Sequence, residues 1–281
     1  MSVRMQKDES RTFEQVKKHY EIEKELASKL LNSNREDRQH LYTVLYDQLF
    51  KQVPHHPQLI RKADCKASAK EVDRKMRLIV KYLRDDSTFL EVGPGDCMLS
   101  LEVAKRVKKV YAVDVSQEIT KNSILPQNFE LIIYDGCTIP VTANTVTVAY
   151  SNQLMEHLHP EDAFDQLRSI YKLLAPGGVY ICITPNRLTG PHDVSKYFDE
   201  VATGFHLKEY THTDLSSLFA SVGFSKMTAY IGGKGIYLRF PLFLIKGLEE
   251  FLCVMPSSLR KKLADTLLVK ALLGVILVAK K

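Results

Sequence analysis

The chain has five cysteines (Cys65, Cys97, Cys137, Cys182 and Cys253), and no two of them form a Cys-x-x-Cys pair. That spacing excludes a zinc ribbon and a disulfide scaffold, and it points to a reducing, cytoplasmic setting. Long apolar runs are missing too. The longest, 271–279, falls short of the about 20 residues a membrane-spanning helix needs, and Lys270 and Asp265 interrupt its approach. The start, 1–11, is polar and lacks the apolar core of a secretory signal. There is no internal repeat and no low-complexity tract. No Gly-x-x-x-x-Gly-Lys-Ser/Thr loop occurs, so phosphate cradling of ATP is unsupported.

What is present suffices for a folded core. A length of 281 residues with 45% hydrophobic content suits one α/β domain with elaborations. The net charge of +6 is uneven: from Arg239 to Lys281, eight basic residues stand against three acidic ones. An anionic partner, lipid surface or nucleic acid, accounts for this excess, and so does a solvated helix face.

The most informative segment runs from Thr88 to Asp96. A short apolar run carries Glu91 and leads into Gly93-Pro94-Gly95, and a second apolar run, 110–113, closes on Asp114. A tight strand-to-helix turn beside an acidic strand end about 20 residues on is the layout of an adenosine-type cofactor site. The glycines admit a positive φ and close approach of backbone to ligand. A nicotinamide fingerprint would place a third glycine where Met98 stands.

Around this segment the apolar pattern predicts helices over 12–31, 37–52 and 67–83, with Val53-Pro54-His55-His56-Pro57 ending the second. Strands are predicted at 89–92, 110–113, 129–134, 145–149 and 179–183, with helices over 98–107 and 160–174 between them. Such alternation implies a doubly wound, mostly parallel sheet. The passage 184–210 is long for a loop and rich in polar and aromatic residues, as functional loops are. Residues 226–240 read as one extended stretch with glycine bulges, 240–273 as a helical, apolar insertion broken at Pro256, and 274–279 as a closing strand.

This string of elements resembles the class I S-adenosylmethionine-dependent methyltransferases from about Val72 to Lys281. The resemblance implies a Rossmann-like, seven-stranded α/β fold over 67–281, preceded by an N-terminal helical extension over 1–66 that acts as a cap. It implies S-adenosyl-L-methionine as cosubstrate. Glu91, Gly93, Pro94 and Gly95 resemble the family's first motif, which takes the methionine end and its ammonium. Asp114, with Val115 beside it, resembles the acceptor of the ribose hydroxyls. Asp135 and Gly136 resemble the pair near the adenine, and Asn152 lies where the family lines the methyl-bearing end. Cys97 stands where the family often has another glycine. Leu173 to Gly178 matches the family's helix-to-strand turn.

No Asn/Asp-Pro-Pro-aromatic motif follows the fourth strand, which argues against DNA and glutamine amino methylation. A proline-cysteine nucleophile is missing there as well. Gln153 to Pro160 resembles the ubiquinone-biosynthesis O-methyltransferases, in whose relatives a Glu-x-x-Glu-His pattern accompanies a divalent metal. Gln153 replaces the first glutamate with a neutral, poorer ligand, so no metal is expected. The expected acceptor is an oxygen of a small or amphiphilic molecule. Base candidates are His157, His192 beside Asp193, and His206 three residues before Glu209. Inert packing accounts for His157 equally, and loop-backbone satisfaction for the others. Tyr42, Tyr46, His55 and His56, and the apolar side chains Phe240, Leu242, Phe243, Leu248, Phe251 and Leu252, are candidates for the acceptor's surroundings. Peripheral membrane contact through 240–273 is a further expectation, and no DNA partner is expected. Methylation of RNA or protein, and cofactor binding without turnover, remain the alternatives.

Overall fold

The computed structural model describes residues 9–63, 65–115, 125–136, 138–233, 235–264 and 266–281. Residues 1–8 of the polar start, Cys137 and Asp265 lie outside them, as does the side chain of Cys65. Cys97, Cys182 and Cys253 are free thiols.

Four N-terminal helices come first: α1 Phe13–Leu31, α2 Arg35–Gln52, α3 Pro57–Ala63 and α4 Cys65–Ile79. Thr12 starts α1 with a capping box, its hydroxyl accepting from Gln15 N while the Gln15 side chain accepts from Thr12 N. The α/β part follows as β1 Thr88–Val92, α5 Met98–Ala104, β2 Lys109–Asp114, β3 Phe129–Ile133, β4 Val146–Asn152, α6 Pro160–Leu173 and β5 Leu174–Thr184. Then come α7 His212–Val222, β6 Lys226–Gly233, β7 Ile236–Phe240, α8 Leu242–Cys253, α9 Ser257–Ala264, α10 Leu267–Leu273 and β8 Val275–Lys280.

The sheet order is β3-β2-β1-β4-β5-β8-β6-β7, with the first five strands parallel and β8 antiparallel to both β5 and β6. The described sheet therefore has eight strands, not the expected seven. The extended passage 226–240 is an antiparallel hairpin, with Gly233 paired to Ile236. Its glycines lie at a chain reversal rather than at bulges.

Helices cover both faces, which is why the central strands are mostly apolar. Along β1, Leu90 and Val92 join the core under α1, α2, α6 and α7, while Phe89 joins the one under α4 and α5. Alternation along the strand thus separates the two layers.

The insertion α8–α10 has a small core of its own, where Leu252 and Leu273 pack with Leu188 of the 184–210 passage. Glu249, on α8, fastens it to the sheet domain. Its carboxylate accepts from His212 N (2.8 Å), His212 Nδ1 (3.1 Å), Thr213 N (2.9 Å), Thr213 Oγ1 (2.7 Å) and Asn186 Nδ2 (2.9 Å), so it caps the N-terminus of α7. Burial alone would raise this carboxyl, but the hydrogen bonds from His212 and Thr213 outweigh it and hold it at about 2. A depressed carboxyl stabilises the fold above its unfolded value of 4.5, and that contribution is lost as pH falls toward 2. Glu249→Gln should therefore reduce stability by about 3 kcal/mol near neutrality, with the gap narrowing in acid. Denaturant titrations at about pH 7 and about pH 3 measure it; a constant gap would contradict this reading.

Candidate functional site

The parallel strands end at a cleft of about 700 Å³. Glu91, Gly93, Pro94, Gly95, Asp114, Val115, Gly136 and Asn152 all line it, joined by Tyr42, Tyr46 and Phe50 of α2 and by Glu71, Val72 and Lys75 of α4. Gly93 has φ +72°, and a Cβ there would stand 3.2 Å from Leu154 in the cleft wall, so the bare turn preserves this space. Asp114 braces the same turn, accepting from Gly95 N at 3.3 Å and from Val115 N at 2.7 Å. Cys97 takes a left-handed φ of 57° at the start of α5, a conformation that costs a side-chain-bearing residue about 1 kcal/mol or more. Burial pushes the Glu91 carboxyl up to about 7, against the opposing hydrogen bond from the Ser100 hydroxyl. Asp135 is the one expected cofactor residue outside the lining; its Oδ1 accepts from Thr138 N at 2.8 Å.

A second cavity of about 560 Å³ adjoins the first, and both are lined by Gln58, Gln153 and His157. Gln153 has a positive φ of 56°, a strained geometry of the kind that clusters at working sites. His157 Nδ1 donates to the Phe205 carbonyl at 2.9 Å, leaving Nε2 with its lone pair. Burial and the neighbouring His206 bring its pKa down to about 3, so the ring is neutral.

His192, Asp193 and His206 line this second cavity as well. His206 and Glu209 meet as expected, Nδ1 to Oε1 at 2.7 Å. Burial opposes charge on His206, but Glu209 and Glu156 together raise its pKa. His192 and Asp193 face different partners. The His192 ring lies 2.9 Å from Thr189 Oγ1 and 3.2 Å from the Asn186 carbonyl, while Asp193 accepts from the amides of Ser195, Gly204 and His206.

α1 builds a hub that sequence reasoning missed. Glu23 accepts from His19 Nε2 at 2.7 Å and from Phe205 N at 3.1 Å, with His56 Nε2 at 3.5 Å. Arg11 donates to His19 Nδ1 (2.7 Å) and Gln58 N to His56 Nδ1 (3.3 Å). Both rings therefore carry their proton on Nε2 and have no lone pair there for a metal. Phe205 links the hub to the site, since its amide binds Glu23 and its carbonyl binds His157. The only trace in the sequence is the i, i+4 spacing of His19 and Glu23, which is common on any helix.

Glu156, His157 and His206 form a second cluster, with one ligand atom of each within 4.8 Å of the others. Glu156 Oε1 is buried and has no hydrogen-bond partner, and burial lifts this carboxyl to about 7. His206 Nδ1 is taken by Glu209 and His157 Nδ1 by the Phe205 carbonyl, so each ring turns only its Nε2 to the cluster. Tyr46 and His56 line these cavities, whereas His55 and the six apolar side chains of 240–252 line neither.

A doubly wound sheet with a glycine turn and an acidic strand end at one cleft defines a Rossmann-like α/β protein with a nucleotide-type site. Within that class the chain belongs to the methyltransferase domain family, which matches residues 61–229. A curated relative from Mycolicibacterium smegmatis, a probable S-adenosylmethionine-dependent methyltransferase, is 31% identical over 137 residues. That match takes in 48% of this chain, and the chain spans about half (51%) of the relative's length. Among solved structures, a SAM-dependent methyltransferase from Archaeoglobus fulgidus aligns with TM-score 0.50 and 18% identity, over 75% of this chain and 94% of that one. The [4+2]-cyclase SpnF aligns equally well, with TM-score 0.50 and 18% identity over 74% and 80% of the two chains. The shared fold alone therefore leaves the reaction open. No helix among the described residues is long and apolar enough to cross a membrane.

Proposed function

We propose that the protein transfers a methyl group from S-adenosylmethionine to a hydroxyl oxygen of a small molecule held in the second cavity. The observation that carries this reading is the place of His157, on the lining of both cavities with its Nε2 lone pair unclaimed by the Phe205 contact. The cosubstrate supplies an electrophilic methyl. The chain's own task is then to align a hydroxyl and take its proton. Glu91 would hold the ammonium, Gly93 and Gly95 the methionine backbone, and Asp114 the ribose. His157 would take the proton, its ring oriented by Phe205. The N-terminal helices would act as a cap, since α1 and α2 line the two cavities. The likeness of Gln153–Pro160 to the ubiquinone-biosynthesis enzymes supports oxygen as the accepting atom.

The test supplies purified protein with methyl-labelled cosubstrate and a mixed extract. The expected result is label in a small hydroxylated metabolite. Label in RNA or protein, or no turnover with any fraction, would favour the rival readings.

Cosubstrate affinity should also depend on pH. The folded-state pKa of Glu91 lies above its ordinary 4.5, so the unliganded fold loses stability from this group as pH rises through about 7. An ammonium is held best by the ionised carboxylate. Affinity should thus rise about tenfold per pH unit up to about 7 and then level off. Titrations at about pH 5.5 and about pH 8 decide it; equal affinities would remove Glu91 from the ammonium site.

A further inference from the structure

The insertion α8–α10 is apolar on two sides. Its inner side chains, Leu248, Leu252, Leu263 and Leu273 among them, pack into the small core with Leu188. Outside, Phe243 is 72% exposed, Phe251 57%, Val254 82%, Leu267 90% and Leu268 71%. At about 100° per residue, Phe243, Leu244 and Phe251 fall on one stripe of α8, continued by Val254 just past its end, opposite the buried Ile245, Glu249 and Leu252. Side chains this large, grouped on one short segment, are more than the scattered apolar exposure of an ordinary surface. Burial in this chain's own core does not explain them, because the insertion already has one.

The charge around the stripe is selective. Between 241 and 273 stand Lys246, Arg260, Lys261, Lys262 and Lys270 against Glu249, Glu250 and Asp265, and Glu249 is buried in its α7 cap. We infer that this insertion docks on an anionic phospholipid surface, with Phe243, Phe251, Leu267 and Leu268 entering the acyl boundary and basic side chains such as Lys246 and Lys262 meeting the headgroups. A second copy of the chain is the poorer occupant, because a self-complementary interface would bring these like charges together. The docked segment also reaches the acceptor side. Lys261 pairs with Glu200 at 2.9 Å, and Leu188 packs into the insertion's core; both partners belong to the 184–210 passage that supplies His192, Asp193 and His206 to the second cavity. Docking would set that cavity beside the bilayer, where an amphiphilic hydroxylated acceptor partitions. The docking itself does not depend on which atom receives the methyl.

Co-sedimentation of the full chain with vesicles tests this. Vesicles of equal parts phosphatidylcholine and phosphatidylglycerol should pellet the protein at low salt, and pure phosphatidylcholine should pellet much less. Phe243→Ser with Phe251→Ser should weaken binding about tenfold or more, and Lys262→Glu should weaken it in a salt-sensitive way. These side chains are exposed, so both variants should melt like wild type. The proposal is overturned if wild type stays in the supernatant with acidic vesicles. It is equally overturned if wild type sediments as a dimer that Phe243→Ser with Phe251→Ser converts to monomer, which would make the patch a self-interface.

Discussion

His157→Ala is expected to lower turnover by about 10²–10⁴-fold while leaving cosubstrate affinity within about twofold. The reason is positional. The ring lines both cavities, and its Nδ1–H is held by the Phe205 carbonyl at 2.9 Å. With its pKa at about 3, the ring is neutral near pH 7, so Nε2 can accept a hydrogen bond from the hydroxyl, although burial makes it a weak base before the methyl acceptor binds. Protonation of His157 should therefore not shape the pH–rate profile above about pH 4; at saturating cosubstrate an acid limb near 7 would report Glu156, and below saturation Glu91 contributes as well. His157→Gln separates catalysis from packing, since an amide can keep a hydrogen bond to Phe205 but is no base. Near-normal turnover in His157→Gln would make this residue a structural one.

The second large effect concerns Asp114. Replacing it by alanine should weaken cosubstrate binding about 100-fold, as expected for two lost charge-assisted hydrogen bonds to ribose. Part of that loss comes from the turn, because Asp114 also accepts from Gly95 N and Val115 N. Asp114→Asn keeps one acceptor and the shape, and should lose only about tenfold. Unchanged affinity in Asp114→Ala would place the ribose contact elsewhere.

Legibility from the sequence was uneven, and the reason is chain separation. Glu91, Gly93, Gly95 and Asp114 are read easily because a strand-turn-helix unit brings them together locally, and the cleft does gather them. The apolar runs of β1, β2 and β4 were legible because strands buried on both faces are mostly apolar, with polar residues such as Glu91, Asp114 and Asn152 at or near their carboxyl ends. The edge hairpin β6–β7 was not, since glycines mark bulges and reversals alike. The Glu23 hub was hidden by distance along the chain: its contact with Phe205 spans 182 positions. Glu249 is one of three acids in a basic segment, and only the fold shows that it caps α7. His192 and Asp193 illustrate the converse. As sequence neighbours they suggested a base with its orienter, yet Asp193 binds backbone amides of 195–206 and the His192 ring faces Thr189 and Asn186.

Methyl transfer here requires the cleft at Gly93, Gly95 and Asp114 to accept an adenosyl sulfonium. Calorimetric titration of wild type with S-adenosylmethionine and with its demethylated product at about pH 8 measures this directly. Saturable heat is predicted for both, at one site per chain, with dissociation constants on the order of micromolar. Absence of heat with either ligand would contradict the account at its root.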